Sequence, residues 1–257
     1  MEQQSKKNVL PPKREDLFQE LVTFHKKRKL PHLGSVASCF DILYDLFFFR
    51  LTPQDYFILS KGHATSLLYL LLKYHGVISE AEWDRACRNG SPLAAHPPFA
   101  EKMYDNWMPF GSGSLGCGLG LAAGVALGCL LQKKDPPSQV FVLVSDGDLN
   151  AGTSWEALHL IAQLKLYSIT ILYDSNEYQA TTHSTEFINH SSLKSYLSTL
   201  GYHLWEGDGH IPSDPPWYQI QTINQVTQPK FFIFHTKKNF RLNPTMHPLA
   251  THYYDGS

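Results

Sequence analysis

The sequence lacks the features of a secreted, membrane-bound or nucleic-acid-binding protein. Its 257 residues include only four cysteines, Cys39, Cys87, Cys117 and Cys129, and their spacing matches no metal-ligand pattern. No apolar run approaches the length of a membrane span, and the polar segment 1–13 lacks the apolar core of a secretion signal. The formal net charge is -1 without a long block of like charge, which argues against nucleic acid as a partner. We therefore expect a cytoplasmic protein with reduced thiols.

The patterning favours an α/β fold. Helical segments, among them 14–27, 40–49 and 64–74, alternate with short apolar runs that are typical of strands. This alternation predicts a doubly wound, mostly parallel sheet flanked by helices. The hydrophobic content of 43% suits one such domain over residues 1–257. Within it we expect residues 1–13 to be flexible and residues 180–189 to form a mobile loop.

Two strand ends carry polar side chains that suit a metal-bound diphosphate. The apolar run 140–144 leads into Asp146 and Gly147, and the run 169–173 leads into Asn176. Parallel strands joined by a helix bring both turns to the same carboxyl edge of the sheet. Carboxylate, amide and backbone carbonyl oxygens are ligands for Mg²⁺ or Ca²⁺. Gly147 permits close backbone approach, and the following helix start offers N–H groups to phosphate, so the pattern predicts a diphosphate cofactor.

Five short blocks follow one another along the chain. They are His32-Leu33-Gly34-Ser35, Leu59-Ser60-Lys61-Gly62-His63-Ala64, His96-Pro97, Gly113-Ser114-Leu115-Gly116 and the Asp146…Asn176 pair. Together they resemble the N-terminal, diphosphate-binding domain of transketolases, in particular the stand-alone N-terminal subunit of split transketolases, over roughly residues 24–208.

This resemblance implies thiamine diphosphate as cofactor, with Mg²⁺ or Ca²⁺. Asp146, Asn176 and the carbonyl of Tyr178 are then the metal ligands, and Gly147 and Asp148 belong to the same cofactor-binding loop. The remaining implied roles fall on residues of the other four blocks. His63 contacts the diphosphate, Gly113, Ser114 and Leu115 meet the aminopyrimidine, and His32, His63 and His96 are catalytic histidines lining the donor channel.

The resemblance also implies a reaction and a partner. The expected reaction transfers a two-carbon ketol unit from a ketose (phosphate) donor to an aldose acceptor, and its bond chemistry belongs largely to the cofactor. In the family, a pyrimidine-binding domain supplies the glutamate that activates the cofactor, and no Glu here can be assigned that role. We therefore expect a separate C-terminal subunit carrying that domain, assembled with this chain as a heterotetramer.

Four departures from the family pattern bear on function. Ser145 and Glu177 replace common glycines beside the metal ligands, and Ala151 replaces a common glutamate of the network between active sites. Residues 236–257 diverge most, since the family's closing Trp-His-Gly becomes Tyr254-Asp255-Gly256 and its histidine is absent unless His247 or His252 replaces it. This divergence suggests a specialised sugar, as in a surface-polysaccharide or secondary-metabolite pathway.

Other interpretations remain open on the residues alone. The α subunit of a 2-oxo acid dehydrogenase shares the cofactor and the metal motif, but the blocks around His32 and His63 look like transketolase. A 1-deoxyxylulose-5-phosphate synthase-like interpretation shares the His-Leu-Gly-Ser form but differs at the Gly62-His63-Ala64 block. A non-catalytic, cofactor-binding regulatory partner would fit Ala151 and Asp255, whereas the retained histidines and metal ligands argue against it.

Overall fold

A five-stranded, wholly parallel sheet lies at the centre of the computed structural model, which describes residues 10–98, 106–133, 138–179, 182–186, 189–211, 217 and 227–257. Its strands are β1 (Tyr56–Leu59), β2 (Val140–Ser145), β3 (Ile169–Ser175), β4 (His203–Asp208) and β5 (Lys230–His235). They lie in the order β1-β2-β3-β5-β4. The register pairs Ser145 with Asp174 and Ser175 with His235, so the strands end together at one edge.

The eight α-helices of the described residues alternate with these strands, and their bounds follow. They are α1 (Arg14–Arg28), α2 (Leu33–Asp45), α3 (Thr65–Tyr74), α4 (Glu80–Arg85), α5 (Cys117–Leu131), α6 (Asp146–Leu149), α7 (Gly152–Gln163) and α8 (His190–Thr199). A π-helical turn, Leu46–Arg50, continues α2, and Gly62–Ala64, Ser184–Glu186 and Ala250–His252 form short 3₁₀ turns. The parallel sheet with its flanking helices confirms the predicted fold class.

Helix α2 begins at Leu33, well before the Phe40 that the apolar run indicated. Every residue of α2 is buried, including the small polar Ser35 and Ser38. Small residues fit here because the C-terminal segment packs against the start of the helix. A Cβ built on Gly34 would lie 2.0 Å from the hydroxyl oxygen of Thr251. Hydrophobicity alone misplaces such a helix start, because close packing rather than apolar area selects its residues.

Side chains of the central strands alternate between two hydrophobic clusters, as expected for a sheet covered on both faces. Phe141, Leu143 and Leu172 pack with residues of α1–α4, whereas Val142, Val144 and Ile171 pack with residues of α5, α7 and α8. Both faces are therefore closed by helices, and ligand access is left to the strand ends. Among the described residues, none of the helices combines the length and apolarity needed to span a membrane.

The C-terminal segment, residues 236–257, folds back onto the start of α2, and we call it the closing segment. Helix α2 has no side-chain cap, and its N-cap residue, His32, adopts a left-handed backbone with φ 75°. The N–H of His32 donates to the carbonyl of His252 at 2.9 Å, and that of Leu33 to the carbonyl of Tyr254 at 3.1 Å. The closing segment thus supplies the acceptors that a capping side chain usually provides.

Three predictions about the domain, namely a flexible segment 1–13, a mobile loop 180–189 and a single domain over 1–257, concern residues that the structure describes only in part. Of the loop expected at 180–189, residues 180–181 and 187–188 lie outside the described residues, as do residues 1–9 of the N-terminal segment. The flexibility of both segments, and the single-domain boundary 1–257, stay predictions.

Candidate active site

A cavity opens at the carboxyl ends of the strands, where the sequence predicts the diphosphate site. Its lining combines strand-end residues with histidines from separate parts of the chain. The lining residues are Ser35, Lys61, Gly62, His63, His96, Gly113, Leu115, Ser145, Gly147, Asn176, Tyr178, Gln179, Lys238 and His252. Most of the predicted site residues are therefore brought together. His32 adjoins this set through ring contacts, and Asp146 lies buried just below it.

Asp146 is a fully buried carboxylate at the end of β2. The hydroxyl of Tyr173 donates to its Oδ1 at 2.8 Å, and the backbone N–H of Asn176 donates to its Oδ2 at 3.1 Å. Within the described part of the chain, no ion pair includes this carboxylate. Burial raises the pKa of Asp146, since the charge has lost its water. A carboxylate has about four lone-pair sites, so acceptor capacity remains for a cation, which would favour the ionised form.

Asp148 holds the loop itself together. Its Oδ2 accepts hydrogen bonds at 2.8 Å from both the backbone N–H and the hydroxyl of Ser145, and the bond from the N–H is one half of a capping box at the start of α6. Its Oδ1 accepts from the Ser60 hydroxyl at 2.5 Å and from the Gly116 N–H at 3.0 Å. Both oxygens are engaged within the protein, and Asp148 does not line the cavity. The structure thus gives Asp148 a scaffolding role, and its contact with the cofactor stays a prediction.

Two of the departures from the family pattern, Ser145 and Glu177, differ in backbone conformation. Ser145 has φ -127°, an extended conformation that any residue adopts, so the loss of glycine there has no backbone cost. Glu177 has φ 65°, in the left-handed region that favours glycine. Its carboxylate pairs with His183 at 3.7 Å.

Two lysines in the cavity were not singled out from the sequence. Lys61, just after β1, forms a buried ion pair with Asp174, and its Nζ also donates to the Ser38 hydroxyl at 2.8 Å. Lys238, just after β5, is buried, and its Nζ lies 3.3 Å from the Gln179 carbonyl oxygen. Burial, followed by the nearby charge of Lys61, lowers the pKa of Lys238 to about 8. Lys61 could have been found, since it lies within a quoted block; the divergent segment around Lys238 offers no such signal.

Four histidines gather on the other side of the cavity. The rings of His32 and His63 stack with their centroids 3.9 Å apart. The ring centroid of His252 lies 4.4 Å from that of His32 and 5.2 Å from that of His63. The ring of His96 lies 5.4 Å from that of His63. Of the two candidates for the missing histidine, His252 therefore lies in the cavity, whereas His247 lies outside its lining, 6.1 Å from the Tyr178 ring.

Three of these imidazoles are neutral near pH 7. Burial, followed by the proximity of the other histidines, lowers the pKa of His63 to about 3 and that of His252 to about 4. Burial also lowers the pKa of His32. The Nδ1 atoms of His32 and His252 are buried and have no hydrogen-bond partner among the described residues. Such atoms suit a polar ligand that brings its own donors and acceptors.

Two glycines explain the shape of the cavity. A Cβ on Gly62 would lie 2.7 Å from Cδ2 of His96, so glycine leaves the room in which that ring sits. A Cβ on Gly147 would lie 2.9 Å from Cδ1 of Leu115, which places the half-exposed Leu115 directly over the Asp146 loop. Gly113 also lines the cavity, whereas the exposed Ser114 does not.

We refer to the two sides of the cavity by their residues. The strand-end half consists of residues at the ends of β1, β2, β3 and β5, namely Lys61, Asp146, Gly147, Asn176 and Lys238. The imidazole half consists of His32, His63, His96 and His252. Fold and cavity together define an α/β protein that binds an anionic ligand at the carboxyl edge of a parallel sheet.

The particular family follows from comparison with known proteins. The family model of the transketolase thiamine diphosphate binding domain matches residues 50–214, and the chain therefore belongs to the transketolase family. This match confirms the resemblance seen in the five sequence blocks, and it supports thiamine diphosphate as the cofactor.

Individual relatives agree with this assignment. One subunit of the apulose-4-phosphate transketolase of Phocaeicola vulgatus is 29% identical over 231 residues, covering 85% of this chain and 79% of that protein. The transketolase of Mycoplasma genitalium is 29% identical over 203 residues, covering 72% of this chain but 31% of that protein. The crystal structure of Campylobacter jejuni transketolase superposes with a TM-score of 0.74 at 23% identity, covering 87% of this chain and 37% of that one. The chain thus spans about a third of the full-length transketolases that it matches.

Proposed function

We propose that this chain is the N-terminal, cofactor-binding subunit of a split transketolase-like enzyme that depends on thiamine diphosphate. It would transfer a two-carbon ketol unit from a ketose (phosphate) to an aldose acceptor. One observation carries this proposal: a single cavity joins a cationic, oxygen-rich half to a half made of imidazoles, in three of which burial lowers the pKa. The similarity to a protein whose name makes it one subunit of a transketolase supports it further.

The strand-end half fits a metal-bound diphosphate. Asp146 is buried and forms no ion pair among the described residues, so a divalent ion would stabilise its charge directly. In the proposal, Asp146, the side chain of Asn176 and the carbonyl of Tyr178 hold Mg²⁺ or Ca²⁺. Lys61 and Lys238 supply positive charge to the diphosphate oxygens.

Other lining residues complete the proposed cofactor site. The backbone of Gly147 admits the diphosphate closely, and His63 contacts it from the imidazole half. Gly113, Ser114 and Leu115 meet the aminopyrimidine, and Leu115 packs against the Asp146 loop through Gly147.

When bound, thiamine diphosphate supplies the carbanion chemistry needed to break and form the carbon–carbon bond of a ketose. The protein residues orient the sugar and move protons. A neutral imidazole offers one donor and one acceptor, which matches the hydroxyl groups of a sugar. His32, His96 and His252 are placed to bind these hydroxyls and to exchange their protons, and the low pKa of His252 keeps it available as an acceptor.

The proposal includes a separate C-terminal subunit that contributes the pyrimidine-binding domain and the catalytic glutamate, assembled as a heterotetramer. Helix α5 offers a surface for such a partner, since none of its fifteen residues carries a charge and Leu130 and Leu131 are exposed. A Cβ on Gly124 of this helix would meet nothing within 4 Å. We expect Gly124→Arg to prevent association with the partner, whereas Ser198→Arg on α8 should leave it intact; equal behaviour of both variants would argue against this surface.

The closing segment points to a specialised sugar, as in a surface-polysaccharide or secondary-metabolite pathway. His252 lines the cavity but lies outside any Trp-His-Gly motif of the kind that the family has here. A different part of the chain therefore supplies the histidine that would face the sugar. A panel of ketose donors and aldose acceptors would test this, and activity confined to ordinary pentose-phosphate sugars would contradict it.

Calorimetric titration of thiamine diphosphate with Mg²⁺ into the purified chain tests the cofactor assignment. The same preparation should show no ketol transfer on its own and should gain it when the pyrimidine-domain subunit is added. Turnover by the isolated chain would overturn the proposal of a split enzyme, and absence of cofactor binding would overturn the site itself.

A further inference from the structure

We propose that Arg241 is a positioning residue that fastens the closing segment to α1 and α2, and thereby holds Lys238 and His252 in the cavity. Its effect on the cofactor rests on the proposed function, whereas its effect on the closing segment does not. Arg241 lies in the part of the sequence that diverges most from the family, so the feature belongs to this chain.

The side chain of Arg241 reaches two helices. Its Nη2 donates to Oδ1 of Asp41 on α2 at 3.0 Å, and its Nη1 donates to the carboxylate of Glu15 on α1 at 3.2 Å. The guanidinium also lies over the rings of Phe40 and Phe240, at 5.4 Å and 5.3 Å from their centroids. Planar guanidinium groups are well suited to such combined ion-pair and ring contacts.

The backbone of Arg241 is itself unusual. Its φ of 60° lies in the left-handed region, which is unfavourable for a residue with a side chain. A glycine would adopt this conformation freely, so the contacts of the arginine must outweigh the conformational cost.

Asp41 is the buried anchor for these contacts. Its side chain is 3% exposed, and it also accepts from Arg14 on α1 at 3.0 Å. Burial opposes ionisation, but hydrogen bonds from His210 and Arg241 outweigh it and lower the pKa of the carboxyl. Asp41 is therefore an anion that needs its cationic partners.

His210 forms a second fastening of the same loop. The backbone N–H of Lys237 donates to its Nε2 at 2.8 Å, so the ring proton lies on Nδ1, which is 3.4 Å from Oδ2 of Asp41. The ring also stacks on Phe240 at 3.7 Å. Lys238 thus lies between Lys237, which is connected to the Asp41 carboxylate through His210, and Arg241, which binds that carboxylate directly.

The far end of the closing segment is held by backbone hydrogen bonds at the start of α2, through the carbonyls of His252 and Tyr254. Arg241 and these carbonyls attach the segment to two separate positions along one helix. Loss of the Arg241 contacts would leave the segment held by His210 near Lys237 and by the backbone bonds at its far end, so Lys238 and His252 would be held less firmly in the cavity.

The test compares Arg241→Gly with Arg14→Ala. Glycine suits the left-handed backbone, so Arg241→Gly removes the side chain without adding strain. Arg14→Ala removes a cation from the same carboxylate but leaves the closing segment untouched. In hydrogen exchange, we expect amides of residues 236–242 and those of His32 and Leu33 to exchange about tenfold faster in Arg241→Gly only. Arg241→Lys should restore part of the protection.

Cofactor affinity provides the second measurement. With Mg²⁺ present, we expect Arg241→Gly to bind thiamine diphosphate about tenfold more weakly, and Arg14→Ala to remain within about twofold of the wild type. Unchanged exchange in Arg241→Gly, or equal changes in both variants, would overturn the positioning role. A wild-type chain that does not bind the cofactor would instead overturn the proposed function, and exchange would still decide the role of Arg241.

Discussion

The two halves of the cavity are built in different ways and carry different charge. The strand-end half stands on neighbouring parallel strands, and its carboxylates and lysines are buried and ionic. The imidazole half collects rings from four separate parts of the chain, and burial keeps at least three of these rings neutral near pH 7. Within one cavity, one end therefore suits an anionic group and the other suits an uncharged, hydroxyl-rich group.

The two halves also differ in how far their residues contribute to the stability of the fold and to ligand recognition. Lys61 of the strand-end half is integral to the core, because its partner Asp174 has no exposure to solvent and also bonds Ser38 and Thr236. The imidazole rings contact mainly each other, and two of them retain unbonded nitrogen atoms among the described residues. Changes in the first half should therefore affect folding or tight binding, and changes in the second should affect turnover and pH response.

The largest effect is expected from Lys61→Met, which leaves Asp174 buried without its cation. Breaking one side of a buried ion pair lowers the free energy of unfolding by about 3–5 kcal/mol, measured by urea denaturation. Lys73→Met is the matched control, since its partners Glu20 and Glu80 are partly exposed and their loss should cost less than about 1 kcal/mol. Adding Asp174→Asn to Lys61→Met should recover most of the loss; a double variant no more stable than the single one would contradict the pairing.

Asp146→Asn should weaken binding of thiamine diphosphate with Mg²⁺ by about 100-fold or more, because it removes the charged metal ligand. Titration calorimetry measures the change. Asp208→Asn serves as control, since Asp208 ends β4 at the same edge of the sheet but does not line the cavity. Equal affinity of the Asp146 variant and the wild type would refute the metal assignment.

Gly62→Ala should disturb the imidazole half alone. The added methyl would meet the ring of His96 at 2.7 Å and displace it. In the assembled two-subunit enzyme, we expect kcat/KM to fall about tenfold, since misplacing a reacting group is costly. Gly152→Ala is the control, because Gly152 begins α7 outside the cavity lining and an added methyl would meet nothing within 4 Å, so its activity should stay close to that of the wild type. A similar loss in both variants would argue against steric control of His96.

The smallest expected effect concerns His252 and pH. Its folded pKa of about 4 lies below the ordinary value of 6.5, so unfolding takes up a proton between these values. Stability therefore falls as the pH falls from about 6.5 to about 4. The slope of the unfolding free energy against pH measures how many protons unfolding takes up. In His252→Asn this slope should be shallower in the same window, by an amount that corresponds to less than about one proton. His159→Asn, an exposed position on α7, is the control, and an unchanged slope in the His252 variant would contradict its buried, neutral state.

The strand-end half was largely predictable from the sequence, because an apolar run followed by a polar residue locates a strand end. The proximity of Asp146 and Asn176 follows from one assumption about tertiary structure, namely that their two strands are parallel neighbours. Lys238 and His252 were harder, since an irregular segment without periodic pattern brings them to the cavity. The start of α2 at Leu33 was missed for a related reason: close contact between Gly34 and Thr251 selects small residues, which an apolar pattern does not reveal.

The backbone bonds from His32 and Leu33 to the closing segment have a consequence for biogenesis. The first helix-starting amides of α2, those of His32 and Leu33, bond to the carbonyls of His252 and Tyr254, which are synthesised much later than α2 itself. Contacts between such distant positions form late in folding. Nascent chains can therefore pair β1, β2 and β3 before the closing segment is made, but they cannot complete the imidazole half. The proposed cofactor site is thus complete only in chains whose synthesis has passed the closing segment, which supplies Lys238 and His252.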